Sequence, residues 1–267
     1  MKTFNVETPP TSKKSIVSSR PETTELTWKQ LYRVSGVAAL LMVVFIPIQS
    51  IVFVVWPPPS TVIGWFTLFW HNGLLGLLDM DLLLIVDQIL MGLILLALYA
   101  ALKRASPSLV VIALTAGLLG IAAYIASSTA FNMLSLSAQY AAATTATQRA
   151  MVEASGQATL ALWQGRAFDV SYILEGVALL IIAAVMLRSI VFGKVTAYVG
   201  FLMGVLMLVP PTVGTIGLVF SLGSLVPLEI WLILIALRLF QLGSSGSRDV
   251  ANQPVLAQAS ELATGTA

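Results

Sequence analysis

Residues 79–102 read DMDLLLIVDQILMGLILLALYAAL, and the fold turns on what the run after Asp81 can do. As a helix, residues 82–102 extend about 32 Å, enough to cross a hydrocarbon core of about 30 Å. The polar side chains within the run are Asp87, Gln88 and Tyr99. A barrel strand would alternate over a shorter segment, whereas a helix satisfies every backbone group within the segment itself. The stretch therefore predicts a membrane-spanning helix with carboxylates at and just inside one end.

The rest of the chain agrees with that class. Of its 267 residues, 58% are hydrophobic and 10% charged, with a mean hydropathy of +0.93, far from the composition of soluble domains. The same ruler finds six spans, at about 37–56, 82–102, 109–128, 170–187, 195–213 and 222–240. The fold class predicted is an all-α polytopic bundle of six transmembrane helices occupying 32–242. Only Ser221, Gly223 and Ser224 divide the last two spans. Residues 1–31 and 243–267 are polar, without an apolar period, and are expected to be disordered cytoplasmic tails. The first apolar stretch comes late and lacks a small-residue cleavage pattern, so span one is expected to direct insertion itself.

Orientation follows from Lys and Arg near the span ends. Lys2, Lys13, Lys14, Arg20, Lys29, Arg33, Lys103, Arg104, Arg188, Lys194, Arg238 and Arg248 fall on one side of a six-span path, leaving Arg149 and Arg166 for the other. Both termini are thus expected to be cytoplasmic. Trp56, Trp65, Trp70 and Trp163 fall at the outer boundary, as an interfacial belt requires. The connection STVIGWFTLFWHNGLLGLLDMD (60–81) is too apolar for an ordinary loop and predicts an outer interfacial segment. Residues 129–166, rich in Ala and Gln, predict an extramembrane helix acting as a cap.

The wording WFTLFWHNGLLGLLDMDLLLIVDQIL, QYAAATTATQRA, GRAFDVSYILEGVALLI and VPLEIWLILIALRLFQLG resembles an uncharacterised family of prokaryotic six-span membrane proteins, a domain of unknown function, over roughly residues 32–243. The resemblance implies the architecture and a prokaryotic cell membrane, with no assigned chemistry. Glu175 stands where it implies a small residue.

Several chemistries have no foothold. With no cysteine and one histidine, His71, thiolate and multi-histidine metal sites are excluded, and no metal or other cofactor is expected. A net charge of +2 gives no reason to expect nucleic acid. Metalloprotease, nucleophile-elbow, phosphate-loop and dinucleotide signatures are missing, so no catalytic residue is nominated and an enzyme is not expected.

What remains is acidic. Asp79 and Asp81 are expected to be hydrated rim residues, and Asp169 to pair with Arg166 at i, i+3. Asp87, Glu175 and Glu229 fall within spans two, four and six, where intramembrane acids are functional suspects. If those spans pack together, the three line an outward-opening vestibule for a small cation or proton, with Gln88, Tyr172 and Ser224 as neutral partners. Gly200 and Gly204 on span five, and Gly117 and Gly120 on span three, are expected to let helices approach. Two functions fit: a small cation- or proton-linked transporter, or a non-transporting scaffold or regulatory subunit. The partners expected are the lipid bilayer, the small cation or proton, and a membrane protein or a second copy of the chain.

Overall fold

The computed structural model describes residues 22–244, with side chains from Trp28 onward. The expected tails at 1–21 and 245–267 lie outside the described residues; residues 22–31, expected to be tail, are instead helical, because they continue the first helix. The described residues form only helices: α1 (Glu22–Val55), α2 (Val62–His71), α3 (Gly73–Met80), α4 (Leu82–Leu102), α5 (Pro107–Ser127), α6 (Ala130–Ala142), α7 (Ala146–Trp163), α8 (Arg166–Arg188), α9 (Lys194–Leu206) and α10 (Gly214–Ser244). Five segments are long and apolar enough to cross a membrane: Trp28–Val55, Leu82–Leu102, Pro107–Ala142, Ala146–Arg188 and Gly214–Ser244. The protein is a multi-pass membrane protein by the length and hydropathy of these helices.

Neighbouring helices close a ring. α1 packs against α4, α4 against α5, α5 against α8, α8 against α9, α9 against α10, and α10 returns to α1. The interior is filled by side chains such as Met91, Leu98, Ile182, Met203, Trp231 and Leu239, all buried. Where helices approach most closely, Cβ atoms are missing. Gly117 lies against Leu95 and Ala178, Gly200 against Trp231, and Gly204 against Leu180 and the Gly176 backbone. Gly120 lies under Glu175 at the α5–α8 contact, the most extensive in the protein.

One end of the ring gathers the basic residues. Lys103 Nζ sits 4.2 Å from the Trp28 ring centroid, the Arg33 stem lies against Gly243, and Arg238 Nε donates to the Val191 carbonyl. The other end carries a cap made of α2, α3, α6 and α7. Only residues 128–129 separate α5 from α6, and only 164–165 separate α7 from α8, so the cap hairpin continues the bundle. A capping box starts α7, with Thr145 accepting from the Gln148 amide at 3.1 Å.

The cap has its own core: Trp65, Phe66 and Phe69 of α2 pack with Met80, Ala130 and Met133. This corrects one expectation: Trp65, expected in an interfacial belt, is wholly buried at 0% exposure, while Ile63 and Leu74 of the same segment stay exposed. Trp56 and Trp70 remain exposed. Asn72 divides the segment into two helices, its side chain accepting from the Leu75 amide at 3.0 Å.

The break before the last helix also differs. It falls at 207–213, around Pro210 and Pro211, and α10 starts at Gly214 with φ +61°. Ser221, Gly223 and Ser224 lie inside the helix, where Ser224 Oγ donates back to the Ser221 carbonyl at 2.7 Å. The prolines lack the N–H that a helix interior needs, which explains why they break the chain and the serines do not.

Candidate functional site

On α8, Tyr172 and Glu175 are three residues apart and share a face. Glu175, 8% exposed, reaches toward α4, where Gln88 Nε2 donates to its Oε2 at 3.4 Å. Its stem can lie flat only because Gly120 is opposite; a Cβ there would come within 2.9 Å of Glu175 Cγ. One residue before Gln88, Asp87 is buried, and neither of its oxygens has a hydrogen-bond partner among the described residues. Glu229 is close enough to Asp87 for their charges to interact. α10 begins earlier than the sequence implied, so Glu229 stands at the midpoint of its helix.

The structure thus places Glu175 with Gln88 and Asp87 near Glu229. Tyr172 goes elsewhere: its hydroxyl lies 3.2 Å from Ser221 Oγ and 3.3 Å from Ser224 Oγ. Asp169, expected to pair with Arg166, accepts from the Thr212 hydroxyl instead, because the α9–α10 connection folds against the start of α8. No group of three His, Cys, Asp or Glu residues is close enough to hold a metal ion among the described residues. Leaving an ionised carboxylate dry and unpaired costs several kcal/mol. A bound proton or cation would remove that cost.

Asp79 and Asp81 overturn the reading of them as wet rim residues, at 1% and 5% exposed. The α6–α7 hairpin and α2 cover the joint between α3 and α4. Asp81 caps nothing at the start of α4; instead Trp163 Nε1 of α7 donates to its Oδ2 at 2.5 Å and the Tyr124 hydroxyl of α5 to its Oδ1 at 3.3 Å. Burial pushes the Asp81 carboxyl up to about 7 against the pull of those two donors, and pushes Asp79, unpartnered at both oxygens among the described residues, up to about 6. Asp81 is also the only described non-glycine residue with positive φ, at 149°, a conformation that costs about 1–3 kcal/mol.

The sequence reading missed this cluster. Trp163 had been assigned to the lipid interface and Tyr124 to no role. The available signal was a hydroxyl-bearing aromatic near the outer end of a span, facing a helix that begins with two acids.

Two grooves mark the surface. One, of about 550 Å³, runs between the start of α2 and α7, lined by Ser60, Thr61, Glu153, Gln157 and Gln164 among others. The other, of about 310 Å³, lies between α1 and α4, lined by apolar side chains with Arg33. Neither reaches Asp87, Glu175 or Glu229. Comparison of the chain with protein-family models, characterised proteins and solved structures found no match to any of them.

Proposed function

We propose that this chain is a six-span protein of a prokaryotic cell membrane, akin to the uncharacterised family it resembles. In this reading both termini are cytoplasmic, and Asp87, Glu175 and Glu229 bind a proton or small monovalent cation in cation- or proton-linked transport. The observation that carries the reading is the pair of acids inside the bundle: among the described residues Asp87 has no hydrogen-bond partner and Glu175 accepts only from Gln88. Intramembrane acids left this way are costly unless they bind something that neutralises them.

Support for the topology comes from the ring. α9 alone extends only about 20 Å, short of the hydrocarbon thickness, and in this reading it crosses together with residues 207–213. With α9 as a sixth span, the basic ends of α1, α4, α8 and α10 fall on one side and the cap on the other, as a cytoplasmic excess of Lys and Arg requires.

A second reading, a scaffold that binds a membrane partner or another copy of itself, is favoured by one observation. The cap has an independent core and an open groove of mixed polar and apolar lining, while neither groove leads to the acids.

Proteoliposomes separate the two. With an entrapped pH-sensitive dye and imposed proton, sodium or potassium gradients, the transport reading expects flux that Asp87→Asn and Glu175→Gln abolish. It also expects melting of the purified protein to respond to a cation or pH, and the response to weaken in those variants and in Glu229→Gln. Absence of flux, with the melting responses of all three variants matching the parent, would leave the scaffold reading standing.

A further inference from the structure

The joint between cap and bundle has a feature that a passive packing contact does not need. Three separate elements meet at one carboxylate: Asp81 precedes α4, Tyr124 belongs to α5 and Trp163 ends α7. The backbone that delivers Asp81 is twisted to φ 149°, so the chain accepts strain in order to hold the side chain there. Tyr124 and Gly120 are one turn apart on the same face of α5, and Gly120 lies against Glu175. Tyr124 therefore joins Asp81 to the stretch of α5 that packs on Glu175.

We propose that Asp81 is a proton-operated latch: protonated, it stays buried in the joint and keeps the cap closed over Glu175, and ionised, it draws water into the joint and lets the cap lift. The inference deepens the proposed function, and rests on it for the purpose of the latch but not for its test.

The sign follows from what each state offers the carboxyl. In the closed joint, burial dominates and favours the neutral acid; in an opened joint, water surrounds Asp81 and restores its ordinary acidity. The closed form thus holds the proton more tightly, so acid favours closure and rising pH favours opening. Among the groups around Asp81, the Tyr124 hydroxyl pulls the other way by donating to it, and burial outweighs that pull. Asp79 of α3 is a second buried acid, and Tyr124 lies within electrostatic range of Asp81, Asp87 and Glu175. α7 presents the non-titrating Trp163, and no Lys, Arg or His among the described residues contributes to the environment of Asp81.

The chain has no cysteine, so spin labels can be introduced directly. Met151 on α7 and Ile216 on α10 are 67% and 66% exposed and report on cap and bundle respectively. With Met151→Cys and Ile216→Cys labelled in lipid nanodiscs, pulsed dipolar distances are measured from about pH 5 to about pH 9. The expected result is a single narrow distribution in acid, joined by a second, displaced component as pH rises through about 7. Asp81→Asn, which is neutral and keeps groups for both hydrogen bonds, should hold the acid distribution at every pH. Trp163→Phe removes the donor from the cap that lets ionised Asp81 stay in the closed joint, and should shift opening to lower pH.

A parent distribution that does not change with pH, or an Asp81→Asn protein that follows the parent, overturns the latch. If Asp81→Asn does not fold, Trp163→Phe decides, and an unshifted transition overturns the proposal. Distances are blind to ion flux, so a failed flux assay sinks the transport reading without touching the latch, and an unchanging distance sinks the latch without touching transport.

Discussion

Gly120 offers a clean test of the packing that holds the acid site. A Cβ added there would sit 2.9 Å from Glu175 Cγ and 3.0 Å from the Ser171 carbonyl oxygen. The Glu175 stem has some freedom, but the carbonyl belongs to the α8 backbone and moves only if α5 and α8 part. Overpacking of this kind costs about 1–3 kcal/mol. Against it stands the gain in helix propensity from Gly to Ala, about 0.5–1 kcal/mol. Gly223, inside α10 with nothing within 4 Å of its would-be Cβ, supplies the control, because Gly223→Ala receives the propensity gain without the clash. The difference between Gly120→Ala and Gly223→Ala then isolates the clash, and should be about 1–3 kcal/mol. At roughly 2–4 °C per kcal/mol for a chain of this size, Gly120→Ala should melt several degrees below Gly223→Ala. Thermal unfolding in detergent, followed by tryptophan fluorescence, reads this directly. If Gly120→Ala melts with the control or above it, α5 and α8 are not in the contact described, and the support for Glu175 falls with it.

Two further outcomes follow from the structure. Asp81 and Asp79, pushed up to about 7 and about 6 from an ordinary 3.8, bind protons more tightly folded than unfolded. Their ionisation therefore opposes folding, and stability should decline as pH rises from about 4 to about 7, Asp81 contributing up to about 4 kcal/mol. Denaturant unfolding at stepped pH should show that decline flattened in Asp81→Asn, and an increase in stability over the same window would reverse the assignment. Topology is tested with reporters after Lys103, after Lys194 and at Thr144, which is exposed in the α6–α7 turn. The first two should report the cytoplasm and the third the outside, and any two neighbouring reporters on the same side would break the six-span path.

Where the sequence spoke for itself, hydropathy and helix length were enough. The limits expected for span two, 82–102, are those of α4, because a continuous apolar run between an acid and a basic pair leaves no other choice. Gln88 was read only as one of three neutral partners for the acids, and in the structure its amide donates to Glu175. The burial of Asp79 and Asp81 was not legible, since depth along a chain says nothing about a hairpin made of residues 130–163 that folds back over them. The start of the last helix was placed too late for a local reason. Ser221 and Ser224 look like loop residues, yet their hydroxyls meet the Tyr172 hydroxyl and Ser224 bonds the backbone, so the helix runs on through them.

The closure of the ring has a consequence for biosynthesis. α1 leaves the ribosome first, and its neighbour across the seam, α10, leaves last; Gly36 of the one faces the Phe240 ring of the other. At bacterial and eukaryotic synthesis rates of about 5–20 residues per second, the flank of α1 stands without its protein neighbour for roughly ten to forty seconds. During that interval lipid or the insertion machinery must occupy the place that Phe240 will take. A nascent chain stalled before α10 is therefore an open arc with a glycine-bearing edge.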